Sequence, residues 1–365
     1  MESGEKGEAR LAGTAGMTEA TTQDRPATAT IDVERLSTWL AQHVPDFSGP
    51  TSLERFTGGQ SNPTFLLTTP RRRYVLRRQP SGLLLKGAHA VDREARVMRA
   101  LGNAGFPVPH VHAVCTDADV IGSWFYVMDF ADGRIFWDGG IPEVPREQRH
   151  EYQVAMADTL AMLHGFDPDA LGLGDFGRSG RYFERQLDRW AGQYRADETA
   201  GRSADLDAVV DWLYAHIPKD AATCLVHGDY RIDNIVFHRT EPRVIAVLDW
   251  ELSTLGDPIV DFAYNLLMYR VPSAMPWGLA DRDLQSVGLP DEKAYVAEYC
   301  RRVERAGIAD LDTYIVFNLF RMAAIIHGIK GRMLRGNAAS AQAGAMVEHL
   351  GLLARTAREI ADRTA

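Results

Sequence analysis

Large apolar residues are nearly absent from the first 29 positions, which hold mostly Gly, Ala, Thr and Glu. Such a stretch cannot bury enough surface to offset its ordering entropy, so 1–29 is expected to be a disordered tail. From residue 30 the pattern changes, and Ile31, Leu36, Trp39 and Leu40 share one helical face. The period then shortens to two. Strands are expected over 53–56, 64–69 and 73–78, the first pair joined by the turn 57–63. A helix is expected over 92–101, with Ala95, Met98 and Leu101 on one side, followed by strands over 111–114 and 124–130. Five short strands and a helix make 30–130 a small sheet-rich lobe.

After Gly133 the spacing is mostly helical. Tyr152, Ala155, Met156, Leu160 and Leu163 recur at helical intervals, and 182–194 and 206–217 are amphipathic. Long helical stretches cover 311–334 and 341–362. A strand-loop-strand island over 223–249 interrupts them. Strands first and helices afterwards indicate an α+β fold, with 131–365 as the helical lobe.

Composition narrows the function. A chain of 365 residues suits two lobes better than one core. A net charge of −9 disfavours nucleic acid as a partner. The three cysteines, Cys115, Cys224 and Cys300, are far apart, which argues against a disulfide framework or a zinc site and favours a reducing compartment. No apolar run approaches the roughly 20 residues that span a bilayer. The longest, 314–329, is broken by Asn318, Arg321 and His327. The N-terminus lacks the apolar core of a secretory signal, so a cytoplasmic location with no membrane partner is expected.

The chemistry concentrates in 225–251. An apolar strand ends at His227-Gly228-Asp229, Asn234 follows, and a second apolar strand begins. The strand 244–248 then delivers Asp249 at its end. Magnesium takes hard oxygen ligands, few of them from protein, which Asn234 and Asp249 can supply. Asp229 is left to accept a hydroxyl proton. The Asp-to-Asn spacing is that of the kinase loop H-R-D-x-x-x-x-N, and Asp249 stands in the place of the D-F-G aspartate.

This segment resembles the aminoglycoside phosphotransferase (choline/homoserine kinase-like) family. Residues 227–264, with Leu248-Asp249-Trp250-Glu251-Leu252-Ser253-Thr254-Leu255-Gly256-Asp257-Pro258, are similar to the kinase-like domains associated with acyl-CoA dehydrogenases. The resemblance covers 31 to about 355. It implies a bilobal protein-kinase-like fold with a small antiparallel-sheet N-lobe, which binds nucleotide, and a larger helical C-lobe. It implies ATP and Mg²⁺ as cofactors and a small-molecule hydroxyl acceptor, a hydroxyacyl or hydroxyacyl-CoA compound over an antibiotic. A functional link to an acyl-CoA dehydrogenase follows in the same way. The alternatives are an aminoglycoside O-phosphotransferase and a nucleotide-binding pseudokinase.

On the nucleotide side, Gly58 and Gly59 let backbone N–H groups approach phosphate, with Ser61 and Asn62 as added donors. An ordinary hairpin turn is the other reading. Arg77 occupies the place of the kinase strand lysine, and a guanidinium can grip phosphate oxygens bidentately. Arg78, on the other strand face, is the fallback. The resemblance implies that Glu94 pairs with Arg77; a solvated helix carboxylate is the alternative. Met128, Asp129 and Phe130 are expected to read adenine through their main chain. His227 is expected to brace its loop more than to shuttle protons. Asp257 and Asp261 stand at a helix start, where capping is the plain reading; by resemblance Asp261 braces the catalytic loop. Glu251 replaces the glycine of D-F-G and is a candidate for metal water or substrate. His164 reads as a satisfied helix-end histidine. Arg321, His327, Lys330 and Arg332 are either a cationic acceptor-cleft cluster or a solvated helix face.

Overall fold

A computed structural model describes residues 31–49, 52–56, 62–80, 89–219, 222–275, 277–336 and 341–364. The expected tail 1–29 and the loop residues Gly58, Gly59 and Ser61 lie outside the described residues.

Helix α1 (Val33–His43) precedes strands β1 (Ser52–Arg55), β2 (Thr64–Thr68) and β3 (Arg73–Arg78). Helix α2 (Val91–Asn103), β4 (Val111–Cys115) and β5 (Phe125–Asp129) complete the first lobe's elements. The strands form one antiparallel five-stranded sheet in the order β1-β2-β3-β5-β4. Because side chains alternate along a strand, each strand feeds two cores. Tyr74, Leu76, Phe125 and Val127 pack under Leu36 and Leu40 of α1. Val75, Tyr126 and Met128 face α2 and join the large core. Arg77 lies on that second face, and Arg78 is buried on the first.

The larger lobe contains α3 (Arg149–His164), α4 (Tyr182–Ala196), α5 (Ala204–Ala215), α6 (Pro258–Asn265), α7 (Leu284–Val287), α8 (Glu292–Arg302), α9 (Leu311–Leu334), α10 (Ala341–Glu348) and α11 (Leu350–Thr364). Two short ribbons carry the site. β6 (Cys224–Val226) pairs with β9 (Thr254–Gly256), and β7 (Ile235–Phe237) pairs with β8 (Val244–Val247). Asp257 caps α6, accepting from Ile259 N–H at 2.8 Å, and Pro258 opens the helix. Helix α9 runs through the lobe, with Thr313, Tyr314, Ile315, Val316, Phe317, Asn318, Leu319, Phe320 and Arg321 buried in an unbroken run. The single helix expected over 341–362 is divided at His349 between α10 and α11.

Candidate active site

The loop between β6 and β7 is held from several sides. His227 is fully buried. Its Nδ1 accepts from Asp229 N–H at 3.1 Å, so Nε2 carries the hydrogen donated to Leu248 O at 2.8 Å. The ring thus ties the loop to the end of β8, one residue before Asp249. Leu248 N–H in turn donates to Asn234 O at 2.8 Å. Gly228 has φ +84, and a Cβ there would meet Leu252 O at 2.7 Å, so the bend needs glycine.

Asp229 is gripped at both carboxylate oxygens. Tyr264 Oη donates to Oδ1 at 2.5 Å, with Arg231 Nε ion-paired to the same oxygen at 3.2 Å. Asn234 Nδ2 donates to Oδ2 at 3.2 Å and to the main-chain carbonyl of Asp229 at 2.9 Å. The amide nitrogen of Asn234 faces Asp229, so its carbonyl oxygen is turned the other way. Arg231 also pairs with Asp233 at 3.2 Å. Burial works against the Arg231 charge, but Tyr264, Asp229, Asp233 and Asp249 together raise its pKa. Burial likewise pushes the Asp233 carboxyl above the usual range.

Asp249 has left-handed backbone, φ 65 and ψ 60, which Asp tolerates better than most residues. That turn brings its carboxylate to Arg77, whose Nη2 lies 2.7 Å from Oδ1. Arg77 also pairs through Nε with Glu94 at 2.8 Å and approaches Glu251 at 3.6 Å. Glu94 is 2% exposed, which replaces the picture of a solvated helix carboxylate. Tyr126 donates to its Oε2 at 3.1 Å. Burial, opposed by Arg77, pushes Glu94 up to about 7. Burial acts against the Arg77 charge as well, but Tyr126, Glu94, Asp249 and Glu251 raise its pKa.

Two of the residues expected to contact nucleotide already hold protein partners. Asn62 is buried, donates from Nδ2 to Glu94 Oε1 at 2.6 Å, and meets His89 Nδ1 through Oδ1 at 3.0 Å. Asp129 N–H is taken by His110 O at 2.9 Å. Its carboxylate accepts from Arg72 at 3.0 Å and pairs with His112 at 2.7 Å, on the α1 face of the sheet. Met128 is buried on the α2 face, and Phe130 stacks under Arg73 at 4.1 Å.

Asp261 is buried under the loop. It accepts from His227 N–H at 2.7 Å and Gly228 N–H at 2.8 Å, and pairs with His164 Nε2 at 3.2 Å. Burial opposes its charge, but the His164 hydrogen bond and the neighbouring His164 and His227 lower its pKa. His164 Nδ1 meets Tyr299 Oη at 2.7 Å.

The cationic cluster on α9 is divided. Arg321 is buried, donates to Gly228 O at 2.6 Å and lies over the Tyr264 ring at 5.2 Å. His327 and Lys330 meet the carbonyls of Gly201 and Ala200. Arg332 lines a separate groove with Trp190 and Asp197. Sequence reasoning passed over Arg231, Tyr264 and Asn265. The last two recur with Asp261 at helical intervals, polar atoms on a fully buried helix, and that was the available signal. Beside Asp229 lies a slot lined by Arg231, Ile232, Tyr264, Asn265, Met268, Trp277 and Met322.

No described helix is long and apolar enough to cross a membrane. Acyl-CoA dehydrogenase family member 10 of Mus musculus is 43% identical over 312 residues, covering 84% of this chain and 29% of that protein. Family member 11 of Homo sapiens is 37% identical over 339 residues, covering 91% and 43%. The chain therefore spans less than half the length of these relatives. A crystal structure from Ralstonia eutropha JMP134, assigned to the aminoglycoside phosphotransferases, superposes with TM-score 0.83 at 43% identity, covering 92% of this chain and 99% of that one. APH(4)-Ia in ternary complex with AMP-PNP and hygromycin B shares the fold at TM-score 0.59 and 17% identity, covering 90% and 97%. Residues 52–299 match the model of the phosphotransferase enzyme family APH, and the chain belongs to that family.

Proposed function

We propose that this protein transfers the γ-phosphoryl group of ATP to a hydroxyl of a small aliphatic acceptor. The observation that carries the reading is the meeting of Asp229, Asn234 and Asp249 with the Arg77–Glu94 pair at one seam between sheet and helices. Phosphoryl transfer needs mainly positioning and charge neutralisation, and these groups supply both. Asp229 orients the acceptor hydroxyl and takes its proton as the new O–P bond forms and ADP leaves. Arg77 grips nucleotide phosphates while Glu94 holds it in place.

The donor set fits magnesium. Asp249 and the outward carbonyl of Asn234 are hard oxygen ligands, and among the described residues no cluster of three His, Cys, Asp or Glu could hold an ion unaided. Nucleotide oxygens would complete the shell. When bound, the ion would neutralise charge on the β- and γ-phosphates.

The acceptor reading rests on the relatives, with the apolar residues near Asp229 in keeping with it. Ile232, Met268, Trp277 and Met322 are apolar, Arg231 is cationic, and none of the described lining residues is acidic. An aliphatic hydroxyacyl compound, free or as its CoA thioester, would bring its chain towards these apolar residues, and methionines adapt to such chains. The acyl-CoA dehydrogenase names of the curated relatives support the same class and a functional link to such an enzyme.

The test is ADP release with radiolabelled ATP and magnesium across a panel of hydroxyacyl-CoAs, free hydroxy acids and aminoglycosides. The reading expects phosphorylated hydroxyacyl product. Phosphorylated aminoglycoside alone would replace the acceptor class, and nucleotide binding without turnover on any acceptor or water would mark a pseudokinase.

A further inference from the structure

One face of α6 meets four consecutive residues of the catalytic loop. Asp261 accepts the N–H groups of His227 and Gly228. Tyr264, three residues on, donates to the Asp229 carboxylate. Asn265 donates from Nδ2 to Tyr230 O at 3.2 Å. Residues spaced by three and four share a helix face, so a rigid shift of α6 would move the whole loop. The helix is itself fixed from behind, where Asn318 of α9 donates to Val260 O at 2.9 Å. Arg321, one turn further along α9, reaches Gly228 O and covers the Tyr264 ring.

Within this face Tyr264 differs from its neighbours, because it touches the carboxylate and not the backbone. We infer that Tyr264 is a positioning residue for phosphoryl transfer: its hydroxyl, with Arg231, occupies Oδ1 of Asp229 and so turns Oδ2, which accepts only the longer bond from Asn234 Nδ2 at 3.2 Å, towards the acceptor. The inference rests on Asp229 being the acceptor-facing carboxylate. The acceptor's proton passes to Oδ2 as the O–P bond forms and the bond to the ADP oxygen breaks, while Tyr264 keeps its own. Burial, then the Asp229 charge, hold the Tyr264 phenol far above the usual range, so it stays a donor throughout. A carboxylate free to rotate would lose the acceptor geometry, and misplacement on this scale costs about 100-fold.

A double-mutant cycle tests this on the full chain, reading radiolabelled phosphate release from ATP and magnesium with water as acceptor. Tyr264→Phe removes one oxygen and leaves the ring volume, so the fold is retained, and an unaltered cooperative melt checks that. The expected results are a 10- to 100-fold fall in kcat, an ATP KM within about twofold of wild type, and no further fall when Tyr264→Phe is added to Asp229→Asn. A merely structural tyrosine would shift KM and kcat together and lower the Asp229→Asn rate as well, and that additivity would overturn the inference. An unchanged kcat in Tyr264→Phe would overturn it too. Should Asp229→Asn itself turn over normally, the reading of the site fails, and the Tyr264 role with it.

Discussion

Arg77 Nη2 lies 2.7 Å from Asp249 Oδ1, joining the sheet to the residue proposed to hold magnesium. The same guanidinium pairs with Glu94 behind it, so Arg77 can reach forward without losing its anchor. A lysine ammonium is a single point of charge and cannot serve both partners in a fixed fork. Arg77→Lys should therefore raise the ATP Kd by about tenfold, and Arg77→Ala by more. Isothermal titration with ATP and magnesium measures the first effect directly.

Glu94 gives the site a pH dependence. Its folded pKa of about 7 stands above the ordinary carboxylate value. Between that ordinary value and about 7 the folded chain binds more protons than the unfolded chain. The contribution of Glu94 to stability is thus full below the window and is lost as pH rises through about 7. Nucleotide binding should run the other way, improving as Glu94 ionises and holds Arg77. Glu94→Gln should flatten both slopes, read by melting temperature and ATP affinity from pH 5 to 8.

Asp261 is buried with two loop N–H groups and His164 as partners. Asp261→Ala leaves those donors unsatisfied, at a cost of about 3–5 kcal/mol. Asp261→Asn, which keeps one acceptor oxygen, should cost less. Urea unfolding of both variants gives the comparison, and an unchanged midpoint in Asp261→Ala would exclude the bracing role.

Gly228→Ala tests the bend before Asp229. The left-handed backbone and the Leu252 carbonyl 2.7 Å from the added Cβ both oppose the substitution. The expected loss is at least about 1–2 kcal/mol of stability, with turnover falling further because Asp229 moves with the bend.

The strand and helix pattern of this chain was largely legible because each element has a clean period: β3 and α9 match the expected spans, residue for residue. Asp229, Asn234 and Asp249 stood out because polar residues at fixed offsets interrupt apolar strands. The misses have a common cause. Tyr264 and Asn265 sit in a helix buried on all sides, where periodicity marks no functional face. Nothing local to Asn62 reveals that Glu94, 32 residues away, takes its amide. Arg321 and Arg332 looked like one cluster along α9, yet the first faces the catalytic loop and the second a separate groove. β9 is three residues long, too short for a period to register.

The central claim, that Asp229 serves phosphoryl transfer between ATP and a hydroxyl, is tested most directly by the turnover of Asp229→Ala. Phosphate transfer from radiolabelled ATP and ATP affinity are measured side by side with wild type in magnesium. The account predicts affinity within about twofold and turnover lower by about 10²- to 10⁴-fold. Turnover by Asp229→Ala at the wild-type rate would contradict it.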